Sequence, residues 1–145
     1  DALCALRERI HIPLLASERL FTRQQYLPLL RGHGADVVMV DLSWTGGLTE
    51  GRKIAALADA FRLPITTHNC GGPILTKAAA HFNISTWNSI EMETVRAIYR
   101  TFPEIMEGDI GIRDGHIHLD DAPGLGLTLR EDLLQRPDVS TRLSR

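Results

Sequence analysis

The sequence contains few cysteines, few aromatic residues and no excess of positive charge. Its 145 residues include two cysteines, Cys4 and Cys70, which lie far apart and form no Cys-x-x-Cys motif. This argues against a disulfide framework and favours a reducing compartment, so we expect a cytoplasmic protein. Aromatic residues make up 6% of the chain, and 16 Lys and Arg against 18 Asp and Glu give a net charge of −2. No basic run is interleaved with aromatic residues, so no nucleic-acid partner is expected.

Long apolar runs are also missing. No stretch approaches the roughly 18 apolar residues that a membrane span needs, so we expect no membrane association. Hydrophobic residues still make up 43% of the chain, which is enough for a buried core at the length of one domain. The chain opens on Asp1 rather than Met, directly before an amphipathic helical pattern. We therefore expect a fragment of a longer protein.

Short apolar runs alternate with helical patterns up to residue 103. The runs at 13–16, 37–40, 64–67 and 86–92 predict strands. The strongest helical pattern covers residues 48–62, where apolar residues recur at helical spacing. Alternation of this kind is typical of βα units with parallel strands.

An ionisable side chain follows each predicted strand. These residues are Glu18, Asp41, His68 and Glu93, and they recur at intervals of 23–27 residues. That interval is the length of one strand and helix with short loops. Because the carboxyl ends of parallel strands meet at one rim, where α/β barrels hold their catalytic groups, we expect these side chains to lie together. The fold class predicted is α/β, with four units forming half of a barrel.

The pattern changes after residue 103, which divides the chain into residues 1–103, the barrel half, and residues 104–145, a hairpin and tail. Asp114-Gly115 is a turn signal between two apolar arms of the predicted hairpin. His116 and His118 alternate on one arm and could form a metal pair, but an exposed face is the favoured interpretation. Cys70 is close to His68, but nothing in the sequence lowers its thiol pKa as a nucleophile requires.

Five motifs, in this order and spacing, carry a resemblance to a known family. They are Ala16-Ser17-Glu18-Arg19-Leu20, Asp41-Leu42-Ser43-Trp44-Thr45-Gly46-Gly47-Leu48-Thr49-Glu50, His68-Asn69-Cys70-Gly71-Gly72-Pro73, Glu93-Thr94-Val95-Arg96-Ala97 and Pro123-Gly124-Leu125-Gly126. The sequence resembles the C-terminal half of a mandelate racemase/muconate lactonizing enzyme-type member of the enolase superfamily, closest to the acid-sugar dehydratases. The resemblance implies the C-terminal half of a (β/α)₇β barrel, with a last segment that returns to an α+β capping domain.

The resemblance also implies roles for the four strand-end residues. Glu18 would be a carboxylate ligand of Mg²⁺, His68 the general base and Asp41 its orienting partner. Glu93 would hydrogen-bond the substrate carboxylate or the intermediate, and Glu91 is an alternative because the local sequence can be aligned in two ways. The family's other metal ligands are not in this sequence, and Mg²⁺ needs near-octahedral oxygen geometry. The chain by itself is therefore predicted to be inactive.

The reaction implied for the full protein is proton abstraction beside a carboxylate, followed by dehydration of an acid sugar to a 2-keto-3-deoxy acid. A neutral imidazole suits the base because its reference pKa is near neutrality, and Mg²⁺ offsets the charge of the enediolate. Racemisation or cycloisomerisation within the same superfamily and a non-catalytic barrel remnant stay open as alternatives. The expected partners are a small acid-sugar substrate and further copies of the chain, because family members are commonly oligomeric.

Overall fold

A computed structural model describes residues 2–142, which form an α/β fold around one parallel sheet. The ends of the two predicted segments, residue 1 and residues 143–145, lie outside the described residues. The first nine elements are α1 Ala2–Arg7, β1 Leu15–Ala16, α2 Arg23–Arg31, β2 Val37–Val40, α3 Leu48–Ala60, β3 Ile65–Thr67, α4 Pro73–Ile84, β4 Ser89–Met92 and α5 Arg96–Ile105. They are followed by β5 Met106–Glu107, β6 Ile112–Arg113, β7 His116–Ile117, β8 Thr128–Leu129 and a 3₁₀-helix at Leu133–Gln135.

The four strands of the main sheet are parallel and lie in the order β1-β2-β3-β4. Strands of a parallel sheet are covered on both faces, which explains the unbroken apolar run of β2. Three of its four residues are buried. The prediction of an α/β fold with parallel strands is confirmed.

The pairing of β3 with β4 contains a register shift. Ile65 pairs with Ser89, but Thr67 pairs with Met92, so β4 holds one extra residue over the same length of β3. An extra residue of this kind is a β-bulge, and it reverses which side chains of the strand face a given direction. The bulge therefore decides whether Glu91, within β4, or Glu93, directly after it, is in line with the end of β3.

The main core lies between the sheet and helices α2 to α4. Its buried members are Ala16, Tyr26, Leu29, Leu30, Ala35, Val38, Val40, Leu42, Ile54, Ala55, Ala58, Ile65, Ala79 and Phe82. A second buried cluster is formed by Ile98, Phe102, Met106 and Ile110. The second cluster joins α5 to the strands that follow it.

Helix ends follow the sequence signals only in part. The predicted helix at 48–62 ends at Ala60, because Arg62 has a positive φ of 60° and the backbone turns there. Thr22 is a residue type that favours the N-cap position and occupies it in α2, but its hydroxyl forms no capping hydrogen bond. Instead the Gln25 side chain accepts a hydrogen bond of 2.7 Å from the Phe21 N–H.

The hairpin predicted after residue 103 is present. Asp114 and Gly115 both have positive φ, 50° and 76°, as a two-residue type I′ turn requires. His116 and His118 are exposed, and His116 Nδ1 lies 2.9 Å from the carbonyl of Asp114. The pairing of β5 with β8 was not predicted. The division of the chain at residue 103 stays a prediction.

None of the helices within residues 2–142 is long and apolar enough to cross a membrane.

Tyr26 links α2 to the main sheet through its hydroxyl. The side chain is fully buried, and the hydroxyl lies 2.7 Å from the carbonyl oxygen of Met39 and 3.0 Å from that of Ser17. Its single hydrogen can be donated to one of these oxygens at a time. Tyr26 therefore connects the segment after β1 to the third residue of β2.

The Tyr26→Phe substitution is expected to lower the free energy of unfolding by about 1–3 kcal/mol, because it leaves a buried carbonyl without its donor. Urea unfolding of the full chain measures this effect. Tyr99→Phe is the matched control, since the Tyr99 hydroxyl forms no hydrogen bond with the described residues, and it should change the free energy by less than about 0.5 kcal/mol. Equal effects of the two substitutions would contradict this role of Tyr26.

Candidate active site

The ends of β2, β3 and β4 bring three of the predicted residues to one rim of the sheet. Asp41 follows β2, His68 follows β3 and Glu93 follows β4. The ladder continues one step past the strands, because the His68 N–H donates to Val40 O at 2.9 Å and the Glu93 N–H donates to Thr67 O at 3.1 Å. These bonds fix the backbone positions of both site residues.

His68 and Asp41 form a hydrogen-bonded pair. Nδ1 of His68 lies 2.7 Å from Oδ2 of Asp41, while Oδ1 of Asp41 accepts hydrogen bonds from the Ser43 N–H at 2.7 Å and the Ser43 hydroxyl at 2.6 Å. Burial of Asp41 opposes its ionisation, but the hydrogen bonds from Ser43 and His68 outweigh burial and lower the pKa of Asp41. Asp41 is therefore a carboxylate, and we assign the proton of neutral His68 to Nδ1.

Glu93 faces the other nitrogen of the imidazole. Its Oε2 lies 3.7 Å from His68 Nε2 and accepts a hydrogen bond of 3.1 Å from the Asn69 N–H. Glu91, the alternative, instead lines a cavity of about 490 Å³ with Asn83, Tyr99 and His116 among its other lining residues. The bulge in β4 explains the difference, because Met92 pairs with Thr67 and the next residues, Glu93 and His68, become neighbours.

Glu18 follows β1 and is half-buried. Burial and then the charges of Glu18 and Asp41 raise the pKa of the Tyr26 hydroxyl. Burial and then the charges of Glu93, Asp41 and Glu18 raise the pKa of the Cys70 thiol. Because β1 is parallel to β2 and Glu18 lies just after the end of β1, Glu18 belongs to the same rim as the residues that follow β2, β3 and β4. The raised pKa also argues against Cys70 as a nucleophile.

An aromatic wall borders the imidazole, and the sequence interpretation gave it no role. The Trp44 ring centroid lies 5.6 Å from that of His68 at an interplanar angle of 37°, and Phe21 meets Trp44 edge-on at 6.2 Å. Arg19, Phe21 and Trp44 line a cavity of about 340 Å³. The available signal was the position of Trp44, three residues after Asp41 in a loop at the rim.

The donor set fits Mg²⁺ only in part. Glu18 offers the hard oxygen that Mg²⁺ prefers. Within residues 2–142, however, Glu18 belongs to no group of three potential metal-binding side chains, and the group that does exist, His68, Cys70 and Glu93, includes nitrogen and sulfur. The side chains of the described residues therefore do not build an octahedral oxygen site for Mg²⁺ by themselves.

Comparison with known proteins assigns the chain to a family. The model of the family described as "Enolase C-terminal domain-like" matches residues 1–133. The chain belongs to this family. The fold is accordingly half of the superfamily's TIM-like barrel, and members of the superfamily generally use Mg²⁺.

The relatives with curated names are sugar-acid dehydratases. The chain is 33% identical over 140 residues to the D-galactonate dehydratase of Ralstonia pickettii, which covers 92% of the chain and 37% of that relative. It is 33% identical over 123 residues to the D-xylonate dehydratase of Haloferax volcanii, covering 85% of the chain and 30% of that relative. This member of the family thus spans about a third of the length of such relatives.

Solved structures agree with the fold. An enolase of the mandelate racemase subgroup from Agrobacterium tumefaciens superposes with a TM-score of 0.82 at 35% identity, over 93% of this chain and 37% of that chain. A putative dehydratase from Zymomonas mobilis superposes with a TM-score of 0.85 at 29% identity, over 92% of this chain and 34% of that chain. In both comparisons the fold of this chain therefore matches about a third of the other protein.

Replacing Asp41 by Asn is expected to remove a pH-dependent part of the free energy of unfolding. The pKa of Asp41 lies below its ordinary value of 3.8 in the folded chain. The stabilisation that ionised Asp41 gives the folded chain is therefore complete above the pKa that Asp41 has in the unfolded chain. It is lost as the pH falls through the lowered pKa of the folded chain. Urea unfolding of the native and D41N chains between about pH 2 and 7 should show a stability difference that shrinks at acid pH.

Asp121→Asn provides the matched control for this measurement, because Asp121 is exposed and forms no side-chain hydrogen bond within the described residues. The difference in the free energy of unfolding between Asp121→Asn and the native chain should stay nearly constant with pH. If the corresponding difference for Asp41→Asn grows as the pH falls, the negative charge assigned to Asp41 is contradicted.

Proposed function

We propose that this chain forms the proton-abstracting side of an active site that dehydrates an acid sugar, in a protein of the relatives' length. The observation that carries the proposal is the 2.7 Å contact between His68 Nδ1 and Asp41 Oδ2, which leaves Nε2 directed toward the rim. The relatives named D-galactonate, D-xylonate and arabinonate dehydratase support the class of substrate.

His68 acts as the general base through Nε2. The substrate's α-proton moves to Nε2, and the electrons of the carbon–hydrogen bond form an enediolate with the substrate carboxylate. Asp41 stabilises the imidazolium because its carboxylate accepts the hydrogen bond from Nδ1. Asp41 is available for this role over the neutral pH range, since its pKa is lowered. The side chain of His68 is 15% exposed, so the base is shielded while one nitrogen stays accessible.

Loss of the β-hydroxyl completes the reaction. The hydroxyl leaves as water after it takes a proton from the imidazolium or another acid, and the resulting enol becomes the 2-keto acid. Glu93 borders Nε2 and its side chain is 40% exposed, so in its protonated form it would donate a hydrogen bond to the substrate carboxylate or the intermediate. Trp44 and Phe21 provide an apolar wall that limits the access of water to the imidazole.

Glu18 would be one ligand of Mg²⁺, with the remaining ligands supplied by parts of the protein that this chain does not contain. When bound, Mg²⁺ offsets the negative charge that develops on the enediolate. A cytoplasmic location and a homo-oligomer are further parts of the proposal. The location is supported by two cysteines that form no disulfide, Cys4 and Cys70, and the oligomer rests on the family resemblance.

The His68→Asn substitution in such a protein should lower kcat for dehydration by about 10²–10⁴-fold, the range for loss of a general base. Activity is measured with Mg²⁺ and a panel of acid sugars, and α-proton exchange is followed by NMR in D₂O. Both dehydration and exchange should fall. His33→Asn is the control, because His33 is exposed and has a positive φ of 52°, which Asn adopts readily.

Three outcomes would overturn the proposal. If the His68→Asn protein exchanges the substrate's α-proton at the native rate, His68 is not the base. Exchange without loss of water, for every acid sugar tested, would instead favour a racemase or cycloisomerase. If the native protein gives neither exchange nor turnover, the non-catalytic interpretation replaces the proposal.

Glu93→Gln should lower kcat by about 10²–10³-fold, as expected for loss of a group that stabilises charge in the transition state. Glu91→Gln, which changes a side chain at the separate cavity, should keep kcat within about twofold, because that side chain is remote from the reacting atoms. Steady-state kinetics on the same substrate distinguish the two residues. A larger loss of kcat for Glu91→Gln than for Glu93→Gln would show that Glu91 takes the role assigned to Glu93.

A further inference from the structure

Three side chains at the rim converge on one point that the proposed reaction does not fully use. His68, Cys70 and Glu93 each direct one potential ligand atom to this point, and the three atoms lie within 4.8 Å of one another. His68 Nε2 and Glu93 Oε2 lie 3.7 Å apart. Cys70 has no part in proton abstraction, so its position beside the imidazole needs a separate explanation.

The three donors are nitrogen, sulfur and oxygen, which is a combination that selects among metal ions. Mg²⁺ takes oxygen ligands, whereas Zn²⁺ accepts imidazole, thiolate and carboxylate in a tetrahedron. Bond lengths of about 2.0–2.3 Å to Zn²⁺ put the ligand atoms of a tetrahedron about 3.3–3.6 Å apart. Cys70 is exposed, so rotation of its side chain can bring the sulfur to this distance.

The surroundings of His68 are those of a histidine ready to bind a metal ion. Metal-binding histidines usually donate their second N–H to a carboxylate, which fixes the ring orientation and raises the basicity of the free nitrogen. Asp41 accepts from Nδ1 at 2.7 Å. Glu93 is held in turn by the Asn69 N–H at 3.1 Å. Two of the three donors are therefore oriented before any ion binds.

We infer that His68, Cys70 and Glu93 form a binding site for Zn²⁺ or a similar thiophilic divalent ion, separate from the magnesium ligand Glu18. Three protein ligands leave the fourth position of the tetrahedron for water. Binding replaces the thiol proton of Cys70, which passes to the solvent. Because Zn²⁺ occupies Nε2, the ion and the proton of the proposed reaction compete for one lone pair.

The test is direct metal binding by the full chain, so it does not depend on catalysis. Co²⁺ serves as a spectroscopic substitute for Zn²⁺, since cobalt bound to a thiolate gives an intense charge-transfer absorption in the near ultraviolet. The chain has two cysteines, so Cys4→Ser is a matched control for Cys70→Ser. Cys4 packs against Gly32 and Gly34, away from the rim.

The expected result is a thiolate–cobalt band in the native chain and in Cys4→Ser that disappears on addition of Zn²⁺ and is absent from Cys70→Ser. Competition with a chromophoric chelator should show Zn²⁺ affinity reduced by more than about 10-fold in Cys70→Ser and by about 10–100-fold in Asp41→Asn, where an outer partner of the ligand is lost. Circular dichroism checks that each variant is folded.

Alkylation of the two cysteines in the native chain provides a second measurement without substitutions. Iodoacetamide labelling with and without Zn²⁺, followed by mass spectrometry of the peptides, should show slower labelling of Cys70 and unchanged labelling of Cys4. Equal protection of both cysteines, a band that survives in Cys70→Ser, or no band in the native chain would overturn the site. Failure here leaves the proposed dehydration intact, because Cys70 has no role in it.

Discussion

The hydrogen bond between His68 Nδ1 and Asp41 Oδ2 is the interaction on which the rest of the site depends. It exists because β2 and β3 are parallel and Val40 pairs with Thr67, so the residues that follow each of them are neighbours at the rim. A buried carboxylate such as Asp41 costs free energy unless hydrogen bonds satisfy it. Ser43 and His68 supply those bonds. The same contacts that make the buried charge tolerable therefore also set the tautomer and direction of the imidazole.

The electrostatics of the rim limit which ligands can enter. Asp41, Glu93 and Glu18 are close enough to raise the pKa of the Cys70 thiol, after burial itself. An anionic substrate is repelled by such a field unless a cation or a proton accompanies it. A sugar acid therefore needs a positive partner at this rim, and Mg²⁺ held in part by Glu18 would provide one. This argument from charge is independent of the family resemblance. It calls for a positive partner, and the resemblance names that partner as Mg²⁺.

The sequence predicted the parallel strands and the residues that end them, because apolar runs and strand-end spacing are local signals. It could not choose between Glu91 and Glu93. The choice depends on one extra residue in β4, a bulge that arises from pairing with β3 and has no local signal. The pairing of β5 with β8 was missed for a similar reason, since strands of two residues show no alternation. The roles of Asp41 and His68 and their pairing came from the resemblance, whereas the atoms that form their contact, the wall formed by Trp44 and the proximity of Cys70 required coordinates.

Base strength and metal affinity at His68 have a common physical origin. An imidazole whose Nδ1–H is held by a carboxylate presents a more basic Nε2 to whatever approaches, either a proton or a metal ion. Changes that weaken zinc binding through Asp41 must therefore weaken the base as well. Cys70 differs from Asp41 in this respect, because its sulfur adds affinity for a thiophilic ion without contributing to the basicity of Nε2. The sulfur of Cys70 thus shifts the balance at Nε2 from proton transfer toward the proposed zinc binding.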